Sequence, residues 1–118
     1  MGDFQKLKVW KRAKDLAVSI YKATGKGSFL KDYNLKDQIR RAAISIPSNI
    51  AERDELGTNR QSIKFFRIAK GSAAELFNQT IIAFEIGYFT QPQFEQVKEE
   101  CQAISSMLPR LIHVRAKY

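Results

Sequence analysis

The sequence predicts an all-α protein, an antiparallel up-and-down four-helix bundle forming a single domain over residues 1–118, on three observations. Four long segments carry apolar residues at i, i+3, i+4 and i+7, the period of a helix with one buried face. No segment alternates at period two over a useful length. The punctuation between segments is short, which favours antiparallel neighbours.

The first helix spans Leu7 to Thr24, with Val9, Trp10, Ala13, Leu16, Ala17, Ile20, Tyr21 and Thr24 on its buried face, and Gly25 and Gly27 end it. The second starts near Asn34, whose side chain can cap the first turn, and buries Leu35, Ile39, Ala42, Ile46 and Ile50 on its way to about Glu55. Pro47 removes one backbone donor and crowds the carbonyl of Ala43, so a kink or restart is expected there. After a turn at Asp54–Thr58, the third helix runs from about Asn59 to Ile86, and Gly87 closes it. Thr90 and Gln93 make a Thr-x-x-Gln capping box with Pro92 in the first turn, and the fourth helix buries Phe94, Val97, Cys101, Ile104, Leu108 and Leu111.

Composition excludes several classes. With 44% hydrophobic and 27% charged residues the chain suits a folded domain rather than a disordered one. One cysteine and one histidine exclude a cystine-stapled scaffold and most zinc modules. No apolar run reaches the ~20 residues of a membrane span, and Met1–Lys6 lacks a secretory apolar region, so a cytoplasmic protein with no membrane partner is expected.

The net charge of +8 is uneven: residues 1–31 hold eight Lys/Arg against two Asp, a net +6. On the first helix Lys8, Lys11, Arg12, Lys22 and Lys26 fall opposite the apolar face, interrupted by Asp15, with Lys14 nearby. Such a stripe is either a solvated face or a phosphate-tracking surface. The third helix is apolar around more than ~200° of its circumference, where a surface helix needs little over ~100°. A central helix covered by its neighbours and a second seam against another subunit both fit; the second is favoured because a four-helix bundle leaves each helix an exposed side.

The search for chemistry is mostly negative. His113 lies off the fourth seam and lacks the carboxylate three residues before it that a di-metal bundle needs, so no metal and no cofactor are expected. No phosphate-loop, dinucleotide or nucleophile-elbow motif occurs. Cys101 and Trp10 read as core. Arg40, Arg41, Asn49 and Glu52 bracket Pro47 and, with Glu75, form either structural pairs satisfying the freed backbone or a catalytic or phosphate site.

Three blocks carry a resemblance across nearly the whole chain: Leu7-x-Val9-Trp10-x-x-Ala13; Gln38-Ile39-Arg40-Arg41-Ala42-Ala43-x-Ser45-Ile46-Pro47-x-Asn49-Ile50-Ala51-Glu52; and Phe66-x-Ile68-Ala69-x-Gly71-Ser72-x-x-Glu75-Leu76. Together they resemble the four-helix bundle proteins encoded in intervening sequences of bacterial 23S ribosomal RNA genes. The family usually continues the second block with glycine, where this chain has Arg53. The resemblance implies a ring-like homo-oligomer, typically a pentamer, with basic surface available to nucleic acid and no enzymatic activity. The accessory variability determinants of diversity-generating retroelements look similar in fold and bind nucleic acid and a reverse transcriptase. Positions Arg40, Arg41, Asn49, Glu52, Arg60, Gly71, Ser72 and Glu75 match the family pattern and are expected to be structural. The functional expectation is a non-enzymatic, oligomeric accessory protein that binds structured RNA or DNA through Lys8, Lys11, Arg12, Lys14, Lys22 and Lys26; the alternative is a protein-interaction scaffold.

Overall fold

The computed structural model describes the backbone of residues 4–56 and 59–116 and the side chains of residues 4–52 and 63–110. Four helices fill it: α1 (Lys8–Thr24), α2 (Tyr33–Leu56), α3 (Asn59–Glu85) and α4 (Gln91–Ala116). Among the described residues there is no strand. α1 packs on α2 and α4, α3 packs on the same two, and among the described residues the α1 and α3 backbones do not approach one another, so these helices occupy diagonal corners of the bundle.

The helical period places the core where the sequence does. Val9, Ala13, Leu16, Ala17 and Ile20 of α1 meet Ile39, Ala42, Ala43, Ile46 and Ile50 of α2; α3 adds Phe66, Ala69, Ala73, Leu76 and Ala83; and α4 adds Val97, Cys101, Ile104 and Leu108. Trp10, Leu35 and Phe84 pack partly buried against this core. Phe84 and Phe94 stack with ring centroids 4.6 Å apart, joining the loop-proximal ends of α3 and α4. Residues 54–56, read from the sequence as the start of a turn, instead continue α2, and the side chains of Leu111, His113 and residues 54–58 lie outside the described residues.

Four further details differ from the sequence reading. The cap of α2 is Asp32, whose Oδ1 accepts the Leu35 N–H at 3.1 Å; Asn34 instead accepts from the Gln38 amide one turn on, at 2.8 Å. A short 3-10 turn, Gly27–Leu30, starts at Gly27 with φ +68° and sinks Phe29 into the core, 1% exposed. Tyr21 is 41% exposed because it lies at the α1/α2 edge, where its ring covers the Arg40 guanidinium. The α2 helix runs unbroken through the buried Pro47.

Two termini behave as read. Gly87, at φ +86°, closes α3 with its N–H on the Phe84 carbonyl (3.0 Å) while the Tyr88 N–H reaches Ala83 (2.8 Å), the paired bonds of a left-handed helix cap. Thr90 and Gln93 form the reciprocal box: the Thr90 N–H donates to Gln93 Oε1 at 2.8 Å, and the Gln93 N–H to Thr90 Oγ1 at 3.3 Å.

Candidate nucleic-acid interface

The basic residues of α1 separate into paired and unpaired groups. Arg12 donates Nε–H to Glu100 of α4 at 2.8 Å, and this hydrogen bond, reinforced by the carboxylate charge, raises the already high guanidinium pKa. Lys14 lies off the stripe, with its ammonium 2.7 Å from Asp15 and 5.9 Å from the Trp10 ring centroid. Lys8, Lys11, Lys22 and Lys26 are exposed and make no ion pair with the described residues. At 100° per residue Lys8, Lys11 and Lys22 lie on the outer face of α1, away from the core, whereas Lys26, which the sequence places on the same helix stripe, follows the last helical residue, Thr24, in extended backbone.

Beside them runs a polar groove between α1 and α4. Its first part, about 310 Å³, is lined by Arg12, Asp15, Leu16, Ser19, Gln96 and Glu100. A second cleft of about 220 Å³ continues towards the helix end between Lys22, Lys26, Gln93 and Gln96. The Lys22/Lys26 end offers amides next to free ammonium groups, a chemistry suited to sugar and phosphate oxygens, whereas the Asp15 and Glu100 carboxylates line the other part. No acidic residue occupies the first turn of α1, where the helix dipole disfavours the cation of Lys8.

The polar residues around Pro47 do not converge. Arg40 and Asn49 are nine residues apart, which puts them on opposite sides of α2. Arg40 donates to Thr24 Oγ1 (2.7 Å) and to the Tyr21 carbonyl (3.0 Å), tying α2 to the end of α1. Asn49 donates to the Ser45 carbonyl (2.7 Å) and hydroxyl (3.0 Å), and the Ser72 hydroxyl of α3 donates to that same Ser45 hydroxyl at 2.8 Å. Arg41 and Glu52 are exposed and unpaired among the described residues. Glu75 is exposed and accepts one bond from Gln79 at 3.2 Å. Gly71 is also exposed, with nothing within 4 Å of an added Cβ. The Arg60 side chain lies outside the described residues. Of the motif positions, Arg40 and Ser72 therefore hold helices together inside one protomer, Asn49 bonds within α2 to the Ser45 that Ser72 meets, and Arg41, Glu52 and Gly71 make no such bond with the described residues.

Sequence reasoning missed a second basic run. Residues 59–74 contain Arg60, Lys64, Arg67 and Lys70 and no acid, a net +4 that the concentration of charge near the N-terminus masks. It also missed Gln79, 95% buried on α3 with its Oε1 unpartnered. Among the described residues no group of three or more His, Cys, Asp or Glu could hold a metal ion, and no helix is long and apolar enough to cross a membrane.

Fold and surface together define a small basic all-α bundle that carries exposed, unpaired cations. The family model described as 23S rRNA-intervening sequence protein matches residues 5–110, and the chain belongs to that family. Among solved structures it is similar to a protein with unknown function from the S23 ribosomal protein family of Bacteroides thetaiotaomicron, with 25% identity and a TM-score of 0.80 over 88% of this chain and 97% of that one. No curated protein matches.

Proposed function

We propose that this chain is a non-enzymatic, oligomeric accessory protein that binds structured RNA or DNA in the cytoplasm through sequence-independent phosphate contacts. The observation that carries the reading is the set of free, exposed lysines Lys8, Lys11 and Lys22 on the outer face of α1, with Lys26 just past the helix end, beside a groove between α1 and α4. A salt-bridged stripe would have its charge already matched; this one has Arg12 and Lys14 matched and the rest open. Anisotropy of a labelled RNA hairpin and of duplex DNA over a salt series tests it. Saturable binding with a steep negative log–log salt slope supports the reading, and no saturable binding at about 50 mM salt refutes it.

Self-association is supported by the C-terminal half of α3. Ile82 and Ile86 are 44% and 52% exposed and lie within about 40° of each other around the helix. A second copy set against this face would cover both isoleucines, in keeping with the pentameric ring the family resemblance implies. Light scattering at micromolar concentration decides: a mass near 13.5 kDa overturns self-association. A stoichiometric protein captured after nuclease treatment, with no nucleic-acid binding, would point to the scaffold reading instead.

A further inference from the structure

We infer that the N-terminal half of α3 is a second phosphate-binding row, formed by Lys64, Arg67 and Lys70 on the corner of the bundle opposite the α1 row. The inference rests on the nucleic-acid reading above and adds a site to it. All three side chains are exposed, and none makes an ion pair or hydrogen bond with the described residues. Their spacing, three residues at each step, stacks like charges along one helix face, an arrangement that costs helix stability when nothing offsets it. Between positions 59 and 74 there is no acid to do so. The first turn of α3 is likewise without an acid although the helix dipole favours one there.

Like Lys8, Lys11, Lys22 and Lys26, the row is left without a carboxylate partner among the described residues, and it lies beside apolar side chains. On α1 and α4 a cation and a carboxylate meet as Arg12–Glu100, and on α2 Lys36 sits 4.8 Å from the Tyr33 ring centroid. Lys64 and Arg67 instead share an open face of α3 with Ile63 and Ile68, the latter 40% exposed, and at 100° per residue the two cations lie between the two isoleucines. Ammonium and guanidinium groups set between apolar side chains match a nucleic-acid strand, with phosphates on the cations and sugar or base faces on the isoleucines. An acidic protein surface would match the cations alone and leave Ile63 and Ile68 unused. Because α1 and α3 are diagonal across the bundle and each row lies on the side of its helix away from the core, the two rows face different ways, so one protomer presents two separate tracks for phosphate.

The test is anisotropy with the full chain on a labelled RNA hairpin, comparing wild type with the triple variant Lys64→Gln, Arg67→Gln, Lys70→Gln. Its control carries Lys31→Gln, Lys36→Gln, Lys98→Gln, which removes equal charge elsewhere; circular dichroism melts confirm that both fold. The α3 variant is expected to lose roughly tenfold or more in affinity, with the salt slope shallower by about two to three, while the control changes far less. If wild type binds and the α3 variant keeps its affinity and slope, or the control falls equally, the row is overturned while the nucleic-acid reading stands. If wild type does not bind at all, both fall.

Discussion

Arg40 and Thr24 are joined by a 2.7 Å hydrogen bond that links the middle of the bundle's most motif-rich helix to the last turn of α1. Thr24 is fully buried, and its hydroxyl donates in turn to the Ile20 carbonyl at 2.7 Å. The same guanidinium donates to the Tyr21 carbonyl and lies 4.6 Å from the Tyr21 ring centroid. A cation thus sits at the C-terminal end of α1, where the helix dipole favours it and carbonyls lack helical donors. An added Cβ at Gly25 would stand in ordinary contact with Arg40 Nη2 at 3.5 Å and press on the Tyr21 carbonyl at 3.3 Å.

Two adjacent arginines should therefore behave differently. Arg40→Ala removes charge-assisted bonds to a buried hydroxyl and to a helix-terminal carbonyl, and is expected to cost about 2 kcal/mol. Arg41→Ala, at an exposed and unpaired position, should stay within about 0.5 kcal/mol of wild type. Arg40→Lys should recover only part of the loss, because an ammonium cannot reproduce the fork. Urea denaturation of the three variants checks this; equal losses at 40 and 41 would contradict the assignment of Arg40 as the tie.

Cys101 is expected to be inert in the folded protein. Burial, reinforced by the nearby Glu100 charge, pushes its thiol pKa up to about 12. At pH 8 the thiolate fraction is then on the order of a thousandfold below that of an unfolded cysteine with pKa about 8.5, so a thiol-specific disulfide reagent should label the native protein very slowly and the urea-unfolded protein at once. The linked stability has a definite sign. A folded pKa raised above the unfolded one stabilises the fold fully below pH ~8.5, and that contribution is lost as pH rises towards about 12. Cys101→Ala should remove this part of the alkaline loss; an unchanged alkaline limb would count against it.

The bundle was legible because its signals are local: one apolar face per segment, a capping box at Thr90 and Gln93, and a glycine at 87 that takes φ +86°. Phe29 escaped because a single buried residue in a 3-10 turn has no period to detect. Asp32 escaped as the α2 cap because Asn34, two residues on, is an equally good capping type; the Tyr88 hydroxyl, which donates to Asp32 at 2.9 Å, is distant in sequence. The candidate interface was half legible. Spacing shows which lysines share a face of α1, but Glu100 neutralises Arg12 from a helix 88 positions away, a pairing that only tertiary structure reveals. The apparent cluster at Arg40 and Asn49 dissolved for the same reason: one bonds to α1, the other to the Ser45 that Ser72 of α3 meets.

Gly71 offers a test of whether a motif residue serves the protomer. It sits in the middle of α3 at an exposed position where a Cβ would meet nothing, and glycine in a helix interior costs roughly 0.5–1 kcal/mol relative to alanine. Gly71→Ala is expected to stabilise the isolated fold by about that amount, raising the thermal midpoint by a few degrees. A lowered midpoint would show that the glycine answers to packing inside the protomer after all.

Glu100 sets how much of the α1 row is open to a polyanion. Its carboxylate holds Arg12 at 2.8 Å in a pair whose Arg side chain is 43% exposed, a class of ion pair that contributes about 1 kcal/mol or less to folding. Glu100→Gln releases the guanidinium beside Lys8 and Lys11 and removes a negative charge from the groove. The variant should therefore fold with little change in midpoint yet bind a labelled RNA hairpin several-fold more tightly, with a salt slope steeper by about one. Arg12→Gln in the Glu100→Gln background should return the slope to its wild-type value, since the gained contact is then absent. Tighter binding that persists in this double variant would mean that Glu100 acts only by repelling the ligand, and an affinity unmoved by Glu100→Gln would place the α1/α4 groove outside the contact surface.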